Sequence, residues 1–256
     1  MLAGSAVRRS AQGMTATNGD RQPSFEPVTL CATVRTMKGS LMSFDILDSR
    51  VDAYLRELNA KHDDPVLLEM EALAKEKSFP IVGRLCGAFL EAMALTARAG
   101  VVFEMGSGYG YSAWWFSRAV GEGGKVYCTD GNPENRALAE QFLTRAGRWD
   151  RIEYHVGWAQ EVLQAAPDSF DIVYNDIDKE QYPEAWLLAK DRIRFGGLYI
   201  CDNVLWSGRA TGGEADDGTE QTAAIRKHNE LIFSDPDFDA FIYPVRDGLI
   251  VARRRS

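Results

Sequence analysis

The chain is poor in the residues that hold soft metals and cross-links, with four cysteines and three histidines among 256 residues. Cys31, Cys86, Cys128 and Cys201 show no CxxC spacing, which excludes a disulfide scaffold and leads us to expect a reducing, cytoplasmic compartment. His62, His155 and His228 have no zinc-ligand spacing, and we expect each to be structural. No apolar run approaches the ~20 residues a membrane helix needs, and the first residues lack the apolar core of a secretory leader. An excess of basic charge is also missing: 29 Lys+Arg stand against 37 Asp+Glu, for a net charge of −8. That balance argues against nucleic acid or an anionic membrane as partner and favours a small molecule. There is no Gly-x-Ser-x-Gly elbow, phosphate-binding P-loop or internal repeat. What remains is an ordinary globular composition, 45% hydrophobic, in a chain long enough to bury its own core.

Residues 1–42 read as a disordered extension, since they carry Arg8, Arg9 and many small polar residues with no acid before Asp20. A start assigned too early, with Met37 or Met42 as the true one, and a transit peptide are the other readings of this segment. Residues 43–256 read as a single domain, in which 43–98 form a helical prelude and 99–256 an α/β core. Val51, Tyr54, Leu55 and Leu58 fall at helical spacing behind Asp45 and Asp48 as candidate caps. A second helix is expected from Asp64, with Pro65 at its first position, and a third over 80–98. From Ala99 short apolar runs alternate with amphipathic segments, the pattern of βαβ units on a parallel sheet. Strands are predicted at 101–105, 125–129, 151–156, 170–175 and 198–201, with helices near 111–120, 134–147, 158–166, 181–194 and 219–233. The runs 238–244 and 249–253, joined across Arg246, Asp247 and Gly248, read as an antiparallel hairpin.

The strongest local signal is FEMGSGYGYS at 103–112, a glycine-rich turn between an apolar strand and a helix. Gly106, Ser107 and Gly108 let backbone N–H groups approach a ligand, with Ser112 in the first helical turn. Tyr111 stands where the dinucleotide fingerprint wants its last glycine, and Glu104 precedes the turn. A carboxylate there suits a ligand with a positive group, such as the ammonium and sulfonium of S-adenosylmethionine, better than a pyrophosphate. Asp130 ends the second strand, where it can accept from ribose hydroxyls or cap the next helix. In Gly157-Trp158-Ala159 the tryptophan can wall an adenine ring or belong to the core. Two acidic clusters follow later strands: Asn175-Asp176-Ile177-Asp178-Lys179 and Cys201-Asp202-Asn203. If those strands are neighbours, Asp176, Asp202 and Asn203 converge as an oxygen-only set suited to Mg²⁺ or Mn²⁺; capping aspartates are the alternative. Lys179, three residues after Asp176, then projects toward the same point as a candidate general base whose pKa a cation would depress, or is a solvated surface lysine.

These residues resemble the cation-dependent O-methyltransferases related to the caffeoyl-CoA and catechol enzymes. The resemblance rests on FEMGSGYGYS, FDIVYNDIDKEQY at 170–182, GGLYICDNVLWSG at 196–208 and PVRDGLIVARRR at 244–255, in that order. It implies a Rossmann-like, mostly parallel seven-stranded sheet with helices on both faces and a closing antiparallel hairpin. It further implies S-adenosylmethionine as methyl donor, a divalent cation (Mg²⁺ foremost, Mn²⁺ or Ca²⁺ otherwise), and a homodimer. Asp176, Asp202 and Asn203 match the family's metal ligands, Lys179 its proposed base, and Glu104, Gly106, Ser112 and Asp130 its donor-site positions. Ala159 beside Trp158 falls on the adenine side, where the family often has an acidic or small residue in place of the tryptophan. Ile177 is bulkier than the alanine common between the two acids. The expected reaction is methyl transfer to one hydroxyl of a phenolic or other vicinal-dihydroxy acceptor, with Trp206, Tyr182 and Trp186 as wall residues or, alternatively, core residues. An NAD-linked oxidoreductase and a non-catalytic S-adenosylmethionine-binding protein are the alternatives.

Overall fold

The computed structural model describes residues 48–166 and 169–256. The expected extension 1–42, Cys31, the cap Asp45 and the side chain of His62 lie outside the described residues. Three helices precede the sheet: α1 (Ser49–Leu58), α2 (Pro65–Lys77) and α3 (Gly83–Ala97). Asp48 caps α1 by accepting from the Arg50 N–H at 2.9 Å, and Asp64 caps α2 by accepting from Val66 at 2.9 Å. Pro65 occupies the first position of α2, where a missing N–H costs nothing. The third helix starts at Gly83 rather than at 80: residues 79–82 carry no regular structure, and no side chain caps the helix start at Val82.

Five strands then alternate with helices: β1 (Val101–Met105), α4 (Tyr111–Ala119), β2 (Lys125–Asp130), α5 (Pro133–Arg145), β3 (Ile152–Val156), α6 (Ala159–Ala165), β4 (Phe170–Asn175), α7 (Tyr182–Ala189) and β5 (Ile193–Cys201). The chain closes with α8 (Glu220–Phe233), β6 (Phe238–Tyr243) and β7 (Leu249–Arg254). The seven strands lie in the order β3-β2-β1-β4-β5-β7-β6, parallel through β5, with β7 antiparallel between β5 and β6. The expected sheet and hairpin are therefore present. Among the described residues no helix is long and apolar enough to cross a membrane.

The fifth strand begins five residues earlier than the sequence pattern suggests, and the preceding helix is correspondingly shorter. Gly196 and Gly197, just before the expected strand start, lie inside the strand, at the irregular register between Phe170 and Ile172. A Cβ on Gly197 would stand 2.8 Å from the Asp171 carbonyl, so a glycine lets β5 pass close to β4 there.

Both faces of the sheet are covered, which is why its strands read as nearly continuous apolar runs. One core layer gathers Leu67, Met70, Trp114, Phe116, Val102 and Ile172; the other gathers Phe103, Leu163, Val173, Trp186 and Ile225. Neighbours along a strand alternate between layers, as the pleat requires. Trp186 packs between Tyr199 and Phe238 in the second layer, so it is a core residue and not part of an acceptor wall. Two tyrosines just before and at the start of α4 reach back to α2. Tyr109 donates to the Met70 carbonyl at 2.9 Å and Tyr111 to Glu71 Oε1 at 2.8 Å.

Candidate active site

The order β2-β1-β4 makes β1 the point from which successive connections leave in opposite directions, and a crevice opens there beyond the carboxyl ends of the strands. Register decides what borders it. Met105 pairs with Thr129 on one side and Asn175 on the other, and Asn175 pairs with Cys201. The next residues along these four strands are Gly106, Asp130, Asp176 and Asp202, which stand at one level; Asp130 is the last residue of β2 and the other three lie just past their strands. Backbone bonds carry the ladder one step further, from Asp176 N to Met105 O at 2.9 Å and from Asp202 N to Asn175 O at 3.2 Å.

A cavity of about 720 Å³ occupies this crevice. Gly106, Ser107, Gly108, Ser112, Asp130, Ala159, Asp176, Lys179 and Asn203 line it, as do Trp158 and Trp206. Glu104 and Asp202 do not; each is fully buried behind the lining. Sequence reasoning missed two contributors. Residues 80–82, expected as the start of the third helix, precede it without regular structure and line the cavity beside Phe79, and Arg246 read only as a turn between strands. The contacts these residues make span too many positions for a local pattern to announce.

The glycine turn is held from both sides. Ser107 N donates to the Thr129 carbonyl at 2.8 Å, and Gly108 N donates to Asp130 Oδ2 at 3.1 Å. Gly106 has φ +84°, and a Cβ there would meet the Asp176 carbonyl at 2.5 Å. Only a glycine admits this approach, which seats the turn against the end of β4. Asp130 is not the cap of α5, a role taken by Asn132; its Oδ1 instead accepts from Asn132 N and Asn135 Nδ2. Trp158 is 61% exposed at the cavity rim, which removes the core reading for it. Beneath the turn, burial pushes Glu104 up to about 7 against the pull of the Ser112 and Ser107 hydroxyls, and its Oε1 has no hydrogen-bond partner.

At the ends of β4 and β5 the two aspartates stand side by side. Burial and the neighbouring Asp176 charge push Asp202 up to about 7, with Arg246 pulling the other way. Asp176 is likewise raised by removal from bulk water, against the charges of Lys179 and Arg246. Lys179 follows Asp176 on a short 3₁₀ turn, and its Nζ donates to Asp176 Oδ1 at 3.1 Å, the Ile177 carbonyl at 3.1 Å and Tyr182 Oη at 2.8 Å. Tyr182 donates in turn to the Asp202 carbonyl at 3.0 Å. Fully buried, it joins base candidate to acid cluster and does not wall the cavity. Asn203 sits in the left-handed region at φ +60°, which asparagine tolerates, and lines the cavity beside them.

Two neighbouring carboxylates, both raised by burial and one of them also by the other's charge, form with an amide oxygen a donor set without sulfur or imidazole. That chemistry fits a hard divalent cation. The glycine turn and strand-end acid facing the same cavity fit a nucleoside-bearing ligand.

Comparison with known proteins agrees with this geometry. The sequence profile described as O-methyltransferase matches residues 57–255. A catechol O-methyltransferase of Niastella koreensis is 29% identical over 207 residues, covering 78% of this chain and 92% of that protein. Caffeoyl-CoA O-methyltransferase 1 of Eucalyptus globulus is 29% identical over 218 residues, covering 79% of this chain and 80% of that one. The O-methyltransferase of Bacillus cereus, solved in complex with SAH, superposes with a TM-score of 0.73 at 26% identity, covering 80% of this chain and 97% of that structure. The chain thus belongs to the S-adenosylmethionine-dependent O-methyltransferase family.

Proposed function

We propose that this enzyme methylates one hydroxyl of a catechol-like or caffeoyl-type acceptor and needs a divalent cation, Mg²⁺ foremost, to do so. The observation that carries the reading is the meeting of Asp176, Asp202 and Asn203 at adjacent strand ends, with Lys179 on Asp176; Asp176, Lys179 and Asn203 line the cavity that the glycine turn also lines, and Asp202 is buried behind that wall. The catechol and caffeoyl-CoA relatives support a phenolic acceptor.

Gly106, Ser107, Gly108, Ser112, Asp130 and Ala159 hold the donor, with Asp130 Oδ2, which carries only the Gly108 N–H, accepting from a ribose hydroxyl and Trp158 flanking the adenine side. Glu104 supports the turn from beneath. Asp176, Asp202 and Asn203 would hold the cation, which supplies a Lewis acid that lowers the pKa of an acceptor hydroxyl. Lys179, acting as the neutral amine, takes that hydroxyl's proton, its nitrogen kept at the cavity edge by Asp176 and Tyr182. The acceptor oxygen then attacks the methyl carbon, the C–O bond forming as the C–S bond breaks and S-adenosylhomocysteine leaves, and positioning by the cavity walls supplies much of the rate. Trp206 offers an aromatic face to the acceptor ring, its own ring backed by Arg209 at 4.3 Å.

The test is methyl transfer from labelled S-adenosylmethionine to a panel of catechols and caffeoyl-type acceptors, with Mg²⁺ and with a chelator. Label in the acceptor that disappears on chelation is expected. Asp176→Ala is expected to lose turnover and metal response together; full, chelator-sensitive turnover in that variant would overturn the ligand assignment.

A further inference from the structure

Asp202 is the one expected cation ligand that does not face the cavity; Arg246 lines the cavity instead. The Arg246 guanidinium donates from Nη1 to Asp202 Oδ2, and the Asn203 N–H donates to Oδ1 at 2.7 Å. Both oxygens of Asp202 therefore carry a donor from the chain itself. On the other carboxylate, Lys179 occupies Asp176 Oδ1. Two negative side chains are matched by two positive ones, and the cluster is balanced without an added ion.

The placement of Arg246 is built into the backbone. It sits at φ +54°, a left-handed conformation that glycine adopts at least cost. The turn carrying it is fastened to the loop after Asn203: Val204 N donates to the Gly248 carbonyl at 3.2 Å, Leu205 N to the Asp247 carbonyl at 3.0 Å, and Ser207 N to Asp247 Oδ1 at 2.6 Å. A non-glycine residue kept in a costly conformation over a buried carboxylate is the kind of strain that accompanies function.

We propose that Arg246 is a tethered counter-ion that competes with the divalent cation for Asp202, so that the guanidinium must leave Oδ2 for the cation to enter, and that this competition sets the site's cation affinity. The inference rests on the cation reading given above. Its test is Mn²⁺ binding, followed through the paramagnetic resonance signal of the free ion, for the full chain and for Arg246→Gly, Arg246→Gln and Asp176→Asn. Both arginine variants are expected to bind Mn²⁺ about tenfold or more tightly, the equilibrium equivalent of one charge-assisted hydrogen bond no longer surrendered. Mn²⁺ binding that appears only in the arginine variants is the same result in its extreme form. In chelator, Arg246→Gln is expected to unfold at a lower temperature than the wild type, because the acidic pair loses half its compensation, and Mn²⁺ is expected to restore it. Equal affinity in the wild type and both arginine variants, abolished by Asp176→Asn, would refute the competition and leave the cation site standing. Absence of binding in every protein, or binding that Asp176→Asn leaves untouched, would remove site and competition together.

Discussion

Replacing Tyr182 by phenylalanine deletes one oxygen and tests the link between the amine and the acid cluster. That oxygen accepts from Lys179 Nζ at 2.8 Å and donates to the buried Asp202 carbonyl at 3.0 Å. The ring stays filled and packed, its centroid 5.2 Å from that of His228, so no cavity term enters. A bond to a charged group contributes ~1.5–3 kcal/mol and a neutral one ~1 kcal/mol, with water recovering part of the first because Lys179 lines an open cavity. The Asp202 carbonyl keeps only the weak Cys201 thiol at 3.5 Å. A net loss of about 2 kcal/mol follows, which for a folded unit of this size lowers Tm by about 4–8 °C. Lys179 keeps two of its three acceptors and wanders, so kcat is expected to fall about tenfold through lost positioning. Affinity for S-adenosylhomocysteine is expected to stay unchanged, because Tyr182 does not line the cavity. Thermal unfolding, calorimetric titration and the labelled transfer assay read the three quantities separately. A variant with wild-type Tm and wild-type kcat would refute the argument that the hydroxyl couples Lys179 to the cluster.

Two further outcomes follow from single residues. Gly106→Ala must accept both a φ of +84° and a contact of 2.5 Å with the Asp176 carbonyl, so affinity for S-adenosylhomocysteine should drop. The expected loss is about tenfold or more, and retention within about twofold by titration would show that the turn can relax. Burial holds His228 down at about 4, with its Nε2 3.0 Å from the Tyr199 hydroxyl. The unfolded chain takes up a proton there below its ordinary value of ~6.5, while the folded chain resists until about 4, so stability falls as pH drops through this window, by up to ~3 kcal/mol. Urea unfolding at about pH 7 and about pH 4.5 is expected to show that loss reduced by ~2 kcal/mol in His228→Asn; an identical pH dependence would count against the assignment.

What could be read from the sequence was what local chemistry dictates. Pro65 behind Asp64, the glycine turn after an apolar strand, and acids at the ends of two later strands all depend on neighbours within a few positions. The sheet rules then place strand ends side by side, which is why Asp176 and Asp202 could be expected to meet before their register was known. Trp186 stayed open between wall and core because an aromatic on a helix near a site looks the same whether it faces a ligand or Phe238. The start of β5 was hidden by a glycine pair whose purpose, close passage of the neighbouring strand, is visible only in three dimensions. Arg246 was illegible for the same reason: its partner Asp202 lies 44 positions earlier, and nothing in Pro244-Val245-Arg246 signals a guanidinium aimed at a buried acid.

The two tyrosines that reach from the glycine turn to α2 tie a ligand-facing loop to a helix some forty positions earlier in the chain. Local opening of that helix deprives the turn of two anchors, so the two segments form one cooperative unit rather than a domain with an appendage. Any ligand that favours the ordered turn thereby shifts the helix toward its folded state by mass action, and a fraying helix is felt as weaker ligand affinity. With the donor on the glycine turn as proposed, the helical prelude would share in the thermodynamics of its binding while contributing no side chain from α2 to the cavity wall.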